Sequence, residues 1–240
     1  MSNLELPSLK INNKVTISRQ IYTFLRHIIT TASISPGTSI SENELSKHFN
    51  VSRQPVREAL TTLEHDGLIT IIPQKGTVVK RISVANLKSV VFIREALECA
   101  SLDNISNLPP AKLSKALRKL HNNLDDQRRK VDPCNLASSF LPIDDKFHEI
   151  ICSFSDCSMT WDAIQSIKGQ LDRIRYLAMG SDHPISPIEK LIAEHEEVVK
   201  AIDKGDIEEA KRQLRYHLHE IMQTHVSIRQ QYSEWFEPEN

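Results

Sequence analysis

The chain has 240 residues, a formal net charge of −1, 40% hydrophobic residues and 25% charged residues, as expected for a globular protein with room for a small module and a larger domain. No apolar run approaches the roughly 20 residues that cross a bilayer, and the N-terminus lacks a signal-peptide pattern. These features exclude a membrane-spanning protein and favour a cytoplasmic one. The four cysteines form no C-x2-C metal pair, which favours buried, reduced thiols.

Charge is divided unevenly along the chain. Residues 1–81 contain ten Lys and Arg against six Asp and Glu, whereas the remainder contains 20 against 25. A basic first part on an acidic body is the distribution expected when only the first part meets a polyanion such as DNA. A nucleic-acid-binding motif is therefore expected before residue 82.

Residues 1–14 are interpreted as a flexible leader, followed by a first helix at 17–32. Four apolar side chains recur there at helical spacing. They are Ile21, Leu25, Ile28 and Ile29. This stripe predicts a platform on which a DNA-binding motif can pack.

Two short helices are predicted within the stretch SENELSKHFNVSRQPVREAL at 41–60. Ser41 and Glu44 have the spacing of a capping box at a helix start. The segment at 50–52 interrupts the helical pattern, and Ser52 can cap a second helix. Two short helices joined by a turn of three or four residues form a helix-turn-helix, whose second helix fits a DNA major groove.

The second of these helices opens with side chains suited to reading DNA, namely Arg53, Gln54 and Arg57. Arg donates to guanine or to phosphate, and Gln pairs with the adenine edge. Basic amphipathic helices also occur in many bundles, so the motif alone leaves a purely structural role open.

A β-hairpin is predicted after the helix stop at Asp66-Gly67. The β-branched runs 68–72 and 77–81 flank the turn Pro73-Gln74-Lys75-Gly76. A hairpin directly after a recognition helix is a wing. Gly76 lets the backbone approach a phosphate or the minor-groove edge, and Lys75 supplies positive charge there.

Residues 15–81 are expected to form one DNA-binding domain, and over about residues 15–80 the sequence resembles the winged-helix domain of GntR-type bacterial transcription regulators. The resemblance is carried by Ile21-Tyr22, Ile28-Ile29, Pro36-Gly37, the helix start at Ser41, the run Ser52-Arg53-Gln54-Pro55-Val56-Arg57-Glu58-Ala59-Leu60, Leu63, Gly67-Leu68-Ile69 and Lys75-Gly76. It implies DNA contacts from Ser52, Arg53, Gln54, Arg57, Lys75 and Gly76. Many members have Arg where this chain has Asn43, so a contact to DNA from Asn43 is expected to differ from theirs.

Residues 82–232 predict an all-α domain, followed by a tail at 233–240. The predicted helices are 84–106, 110–130, 135–154, 158–179, 187–203 and 207–231. Ser83 caps the first of them with hardly any linker after the wing. Movement of the 84–106 helix is therefore expected to reach the DNA-binding domain.

Four metal-capable side chains fall on the apolar stripes of three predicted helices. Asp144 and His148 lie four residues apart on one helix, and His195 and His217 lie within the stripes of two others. An i,i+4 pair projects side by side from one helix face, which suits two ligands on one cation. Buried polar groups need partners, and either a shared cation or a hydrogen-bonded Asp–His network would supply them.

The helical part resembles the FCD effector domain of the FadR-type subfamily of GntR regulators, over about residues 84–230. The resemblance is carried by Asp144-x3-His148, Glu194-His195, Gly205-Asp206, Ala210 and His217-Leu218. It implies a bundle of six or seven helices that binds a divalent metal through Asp144, His148, His195 and His217. Imidazole and carboxylate ligands suit Zn²⁺, Ni²⁺ or Mn²⁺, and ligand type does not choose among them.

Arginines on the predicted helices are candidates for holding an effector carboxylate. Arg94 lies inward, with Glu98 four residues on, which fits either an ion pair within the helix or a clamp on a carboxylate. The resemblance favours the clamp. Arg173 is a second candidate, and with its neighbour Arg175 it could instead contact the surface or the other domain.

Together these features predict a mainly α protein, with a winged helix-turn-helix and small β wing ahead of a helical bundle. The expected function is that of a homodimeric, non-enzymatic transcription regulator, and of a repressor in particular. It would bind a palindromic double-stranded DNA operator under control of a small organic acid at the metal site. The alternatives are an acyl-CoA-type sensor without metal and a metal-dependent hydrolase, in which the same centre would activate water.

Overall fold

The computed structural model describes residues 6–12, 14–72, 76–180, 185 and 187–238. It confirms the predicted fold class, with a winged helix-turn-helix followed by a bundle of α-helices. None of the helices in these ranges is long and apolar enough to cross a membrane.

The N-terminal domain packs three helices against a small antiparallel sheet. Its elements are α1 (Ile17–Thr30), β1 (Ser39–Ile40), α2 (Glu42–Phe49), α3 (Arg53–His65), β2 (Ile69–Ile72) and β3 (Gly76–Val79). The strand order is β1-β3-β2, and Ile72 pairs with Gly76 across the wing. Strand β1 was not expected, because two residues are too few to show an alternating pattern.

The helix caps of the motif are formed in part. The Ser41 side chain accepts a hydrogen bond from the backbone N–H of Glu44, as predicted. Ser52 occupies the N-cap position of α3, but its side chain makes no capping hydrogen bond. The turn between the helices uses Asn50 with a left-handed backbone, a conformation that Asn tolerates.

The C-terminal domain begins at once after the wing, and its elements within the described residues are helices. Its helices are α4 (Val84–Asp103), α5 (Pro110–Arg129), α6 (Leu136–Cys152), α7 (Met159–Ile167), α8 (Gly169–Met179), α9 (Ile188–Asp203), α10 (Ile207–His219) and α11 (Ile221–Gln231). Ser83 caps α4 by accepting from the N–H of Asn86. The largest core lies among α4, α5, α6, α9 and α10.

Two of the helices predicted as single are broken. The helix predicted at 158–179 divides at Lys168, whose side chain is buried and paired with Asp145 and Asp172. The helix predicted at 207–231 divides at Glu220, whose N–H bonds to the His217 carbonyl three residues back. Both helices keep apolar spacing through the break, so periodicity alone showed no interruption.

The two ends of the chain are more closely packed than expected. Leu6, Leu9 and Ile11, from the segment expected as a flexible leader, pack against the core of the N-terminal domain. In the tail, Trp235 and Phe236 are buried. Ile82, between the domains, forms a parallel bridge with Phe236.

Helix α8 provides close contacts between the domains. Gln170 donates to the carbonyl of Gly67 at 2.9 Å, and Arg173 donates to the carbonyl of Lys80 at 2.7 Å. A Cβ atom on Gly169 would come within 2.9 Å of the Leu68 side chain. The start of α8 therefore lies directly on the turn between α3 and β2.

Candidate metal centre and nucleic-acid interface

The four side chains predicted as metal ligands meet inside the helical domain. Helix α6 supplies Asp144 and His148, α9 supplies His195 and α10 supplies His217. All four are buried, and one ligand atom from each lies within 4.8 Å of the others. The i,i+4 spacing on α6 places its two side chains on the same face.

The potential ligand atoms form a closed ring. The Nε2 atoms of His195 and His217 are 3.1 Å apart, and those of His217 and His148 are 3.3 Å apart. The Asp144 carboxylate completes the ring, at 3.6 Å from Nε2 of His195 and 3.8 Å from Nε2 of His148. Ligands bound to one metal at about 2.1 Å stand roughly 3 to 3.4 Å apart, so the two separations between imidazoles fit a single ion. The Asp144 carboxylate lies slightly outside that range.

The other nitrogen of each imidazole points outward to an oxygen atom. Nδ1 of His148 lies 2.6 Å from Glu98 Oε2, and Nδ1 of His217 lies 2.8 Å from Glu194 Oε2. An ionised carboxylate only accepts hydrogen bonds, so both Nδ1 atoms carry the proton. In the neutral rings, Nε2 is then left with a lone pair directed at the centre of the ring.

His195 is held in the same tautomer by a chain of amides. Asn123 Nδ2 donates to the carbonyl of Ile143, and Gln127 Nε2 donates to Asn123 Oδ1. These bonds leave Gln127 Oε1 facing His195 Nδ1 at 2.9 Å, where it can only accept. The backbone carbonyl therefore sets the orientation of both amides, and through them the tautomer of His195.

Three lone pairs and a carboxylate converge at the centre, which favours a bound cation. Burial lowers the pKa of His148, and it lowers the pKa of His195 well below the usual range, with the nearby His217 and His148 adding to the effect. Neutral imidazoles with Nε2 lone pairs would repel one another at these distances. A divalent metal bound by Asp144, His148, His195 and His217 relieves this repulsion, so the residues present fit the metal that the fold family implies.

A cavity of about 510 Å³, including the space at its open mouth, adjoins the centre. Its polar lining residues include Arg94, Arg175 and Glu220 beside Asp144, His148 and His217 of the candidate centre, and its apolar lining residues are Leu171, Ala178, Met179, Leu191, Leu218 and Ile221. This mixture of charged and apolar lining residues is typical of sites for small organic molecules.

Arg94 both lines this cavity and pairs with Glu98 at 2.8 Å within α4. Burial would raise the pKa of Glu98, but Arg94 and His148 outweigh it and lower that pKa to about 2. The two sequence interpretations of Arg94 are therefore compatible. Its Nε holds the carboxylate that orients His148, and its position at the cavity leaves it within reach of a ligand.

The second predicted effector residue, Arg173, does not line the cavity. It is fully buried at the domain joint, where it donates to the Lys80 carbonyl and lies 5.4 Å from the centroid of the Trp235 ring. Its Nε and Nη2 have no hydrogen-bond partner among the described residues, and burial lowers its pKa to about 10. The expectation of an effector contact from Arg173 is thus replaced by an interdomain contact.

Arg175 is the arginine of α8 that reaches the cavity. It donates to Asp144 and to Asp145, the latter at 2.8 Å. Although burial alone would lower the pKa of Arg175, the carboxylates of Asp144, Asp145 and Asp172 raise it. Because α8 turns about 100° per residue, Arg173 and Arg175 point in very different directions, but the sequence did not show which side faced the cavity.

The candidate nucleic-acid interface lies on the exposed start of α3 and the neighbouring surface of α2. Its predicted residues Asn43, Ser52, Arg53, Gln54 and Arg57 are all exposed. They lie on the outer side of a motif whose inner side is buried in the domain core. This is the placement that allows a helix to enter a groove without disturbing its own domain.

Each long side chain on this surface has a partner within the protein. Arg53 donates to Asn43, Gln54 donates to Glu58 at 3.0 Å, and Arg57 makes a bidentate pair with Glu42 at 3.2 and 3.0 Å. These pairs are solvent-exposed and weak, so they can exchange for contacts with DNA. Asn43 is the position at which many GntR-type regulators have Arg. In this chain it accepts a hydrogen bond from Arg53 of the recognition helix.

The wing is described only in part. Gly76 is exposed and has a φ of +104°, a conformation open to glycine and strained for other residues. Lys75 lies outside the described residues.

Comparisons with known proteins agree with this arrangement of two domains. Residues 17–79 match the family model of bacterial regulatory proteins, gntR family, and residues 89–220 match the model of the FCD domain. Among solved structures, Escherichia coli McbR/YncC has 21% sequence identity and a TM-score of 0.66, with 91% of this chain and 99% of that chain covered.

Two sequence relatives cover nearly the whole chain. The HTH-type transcriptional repressor RspR of Escherichia coli strain K12 is 38% identical over 230 residues, which is 96% of this chain and 98% of that protein. A regulator named for an unstable DNA locus of Streptomyces ambofaciens is 35% identical over 226 residues, covering 93% of this chain and 91% of that protein.

Proposed function

Because the chain belongs to the GntR family of bacterial regulatory proteins and carries an FCD domain, we propose that it is a repressor that responds to a metal-associated carboxylate. In this proposal, a homodimer holds a palindromic operator with its two winged helices. The helical domains bind a divalent metal and a small organic acid, which together set the affinity for DNA.

The convergence of three imidazole Nε2 atoms on Asp144 carries the metal part of the proposal. His148, His195 and His217 each have Nδ1 bonded outward, so the inward nitrogens act as ligands without any rearrangement of tautomers. Zn²⁺, Ni²⁺ and Mn²⁺ all accept such a ligand set. In an octahedral metal, the remaining positions would be open to water or to an effector carboxylate.

The cavity supports a small carboxylate as the effector. Arg94 and Arg175 line it together with the metal-site residues, and a guanidinium binds a carboxylate in a bidentate manner. The cavity lining also includes apolar side chains, which suit the carbon skeleton of a small acid.

The exposed start of α3 supports the DNA part of the proposal. A helix-turn-helix dimer reads two half-sites about one DNA turn apart, so a defined separation of its two recognition helices is required. Repression needs only that the bound protein obstructs the promoter. The relative that carries the name of a repressor is 38% identical over nearly the whole chain.

The two alternatives from sequence have less support. In an acyl-CoA-type sensor, the buried Asp–His set would face the ligand without a cation. In a hydrolase, a general base would be needed beside the metal-bound water. Glu98 and Glu194 each hold an imidazole through a hydrogen bond, and Glu220 at the cavity pairs with Lys190.

Elemental analysis of the purified protein tests the metal, and mobility shifts test the DNA. We expect about one divalent ion per chain, and salt-dependent binding to DNA upstream of the protein's own gene. If the metal-free protein binds no ion on exposure to Zn²⁺, Ni²⁺ or Mn²⁺, that result would contradict the proposed metal site. Sequence-independent binding alone would contradict operator recognition.

A further inference from the structure

A cluster of six charged side chains extends from the candidate metal centre to the DNA-binding domain. It begins at the metal-site residue Asp144 on α6 and ends at Arg26 on α1. The members are Asp144, Asp145, Lys168, Asp172, Arg175 and Arg26, and their formal charges sum to zero.

Asp172 lies at the branch point of this cluster. Its Oδ1 faces Lys168 at 2.6 Å and Arg175 at 3.5 Å, whereas its Oδ2 faces Arg26 at 3.7 Å. The two oxygens of one carboxylate thus face opposite domains. The Arg26 guanidinium is also fixed by donating to the Gln165 carbonyl at 2.8 Å.

The cluster is shielded from solvent, which makes its charges depend on one another. Side-chain exposure is 2% for Lys168, 5% for Asp144, 8% for Asp172, 11% for Arg175 and 17% for Arg26, and it rises to 27% only for Asp145. Interactions among buried charges are screened much less than those on the surface. A change in the charge near Asp144 therefore alters the balance of forces on each following member.

Helix α8, which carries Asp172 and Arg175, also holds the DNA-reading elements directly. Gln170 is bonded to Gly67 between α3 and β2, and Arg173 is bonded to Lys80 just after β3. Gly169 permits the close approach to Leu68. A displacement of α8 must therefore change the position of the recognition helix or of the wing.

From this arrangement we propose that Arg175, Asp172 and Arg26 relay the occupancy of the metal centre to the DNA-binding domain, with α8 as the moving element. The proposal rests on the metal site proposed above and adds the route by which that site acts. It places the coupling on α8, whereas the sequence had suggested the 84–106 helix.

The direction of the effect follows from competition for Asp144. A divalent cation at the centre repels Arg175 and takes over part of the negative charge that Arg175 now neutralises. Arg175 then shifts toward Asp172, which weakens the hold of Asp172 on Arg26. Metal loading is therefore expected to loosen the docking of α1, and a carboxylate that draws Arg175 back into the cavity is expected to restore it.

Hydrogen exchange with Zn²⁺ as the probe tests the relay in the full-length, metal-stripped protein. We expect Zn²⁺ to speed the exchange of α1 amides by about fivefold or more in the parent. Arg26→Gln should bind Zn²⁺ with unchanged affinity in calorimetry and lose this response. Arg19→Gln, which changes an exposed arginine on the same helix, should keep both properties.

A second experiment tests the relay without adding a metal. Asp144→Asn removes the charge at the far end of the cluster, and it should alter the exchange of α1 in the parent background but not in Arg26→Gln. Additive effects in the double variant would overturn the relay. So would Zn²⁺ binding without any response of α1, or an unchanged response in Arg26→Gln. A parent that binds no Zn²⁺ but shows the non-additive result would overturn the metal site and leave the relay standing.

Discussion

The Nε2 atoms of His195 and His217 lie 3.1 Å apart while the Nδ1 atom of each ring is bonded to an oxygen. Two neutral imidazoles in this orientation present lone pairs to each other, which is unfavourable without a positive charge between them. A cation bound between the two rings would remove this repulsion.

Replacing a ligand should remove the metal. His195→Ala is expected to lose bound metal and to lose the thermal stabilisation that added Zn²⁺ gives the parent. That stabilisation is about 2.7 kcal/mol when the free ion is at 100 times its dissociation constant. Elemental analysis and thermal unfolding with and without Zn²⁺ measure both effects. His121→Ala, which changes an exposed histidine paired with Asp203, is the control, and equal metal content in the two variants would reject the site.

Removing the amide that fixes His195 should weaken metal binding without touching a ligand. Gln127→Leu frees the imidazole to adopt the other tautomer, and losses of this kind reduce metal affinity about 10- to 100-fold. Competition with a chelating dye measures the change. Gln213→Leu removes a glutamine that bonds to Glu209 on α10, and it should leave the affinity at the parental value. An equal loss in both variants would show that Gln127 acts only through general stability.

Stability of the metal-stripped protein should fall as the solution becomes acidic. Burial holds the pKa values of His148 and His195 below their usual value, so between the folded and unfolded pKa values the unfolded chain binds more protons. The free energy of unfolding therefore decreases as the pH falls below about 6.5, by up to about 1.4 kcal/mol per group for each pH unit. Urea unfolding at pH 7.5 and 5.5 measures this slope. His195→Gln should show a shallower slope, and an unchanged one would argue against burial of a neutral imidazole.

A substitution on the recognition helix should change DNA binding without changing the stability of the fold. Arg53 is exposed at the start of α3, so Arg53→Ala is expected to lower operator affinity about 5- to 150-fold per recognition helix, with thermal unfolding nearly unchanged. A contact of this kind to a base or a phosphate contributes about 1–3 kcal/mol. Mobility shifts over a range of salt concentrations distinguish a base contact from a phosphate contact. Arg118→Ala, an exposed arginine on α5, serves as the control. Operator affinity retained at the parental value in Arg53→Ala would remove the residue from the interface.

The amino-acid pattern predicted the inward histidines because polar residues on an apolar stripe are conspicuous. Asp144, His148, His195 and His217 each interrupt a regular run of apolar positions, and the structure brings them together. Their partners were not predictable in the same way. Glu98, Gln127 and Glu194 lie on other helices or other turns, and nothing in their own neighbourhood shows which imidazole they face.

The sequence also could not show that Arg175, and not Arg173, lines the cavity. Helix α8 is covered on nearly all sides, so its burial pattern does not separate a face toward the cavity from a face toward the other domain.

The bridge between Ile82 and Phe236 has a consequence for how the protein is made. Ile82 accepts from the N–H of Glu237 and donates to the carbonyl of Trp235, so the joint between the domains is completed by residues that emerge from the ribosome after every helix of the body. The winged helix can fold early, as domains do during synthesis. The joint that orients it, however, is completed only once residues 235–237, which follow α11, have been translated.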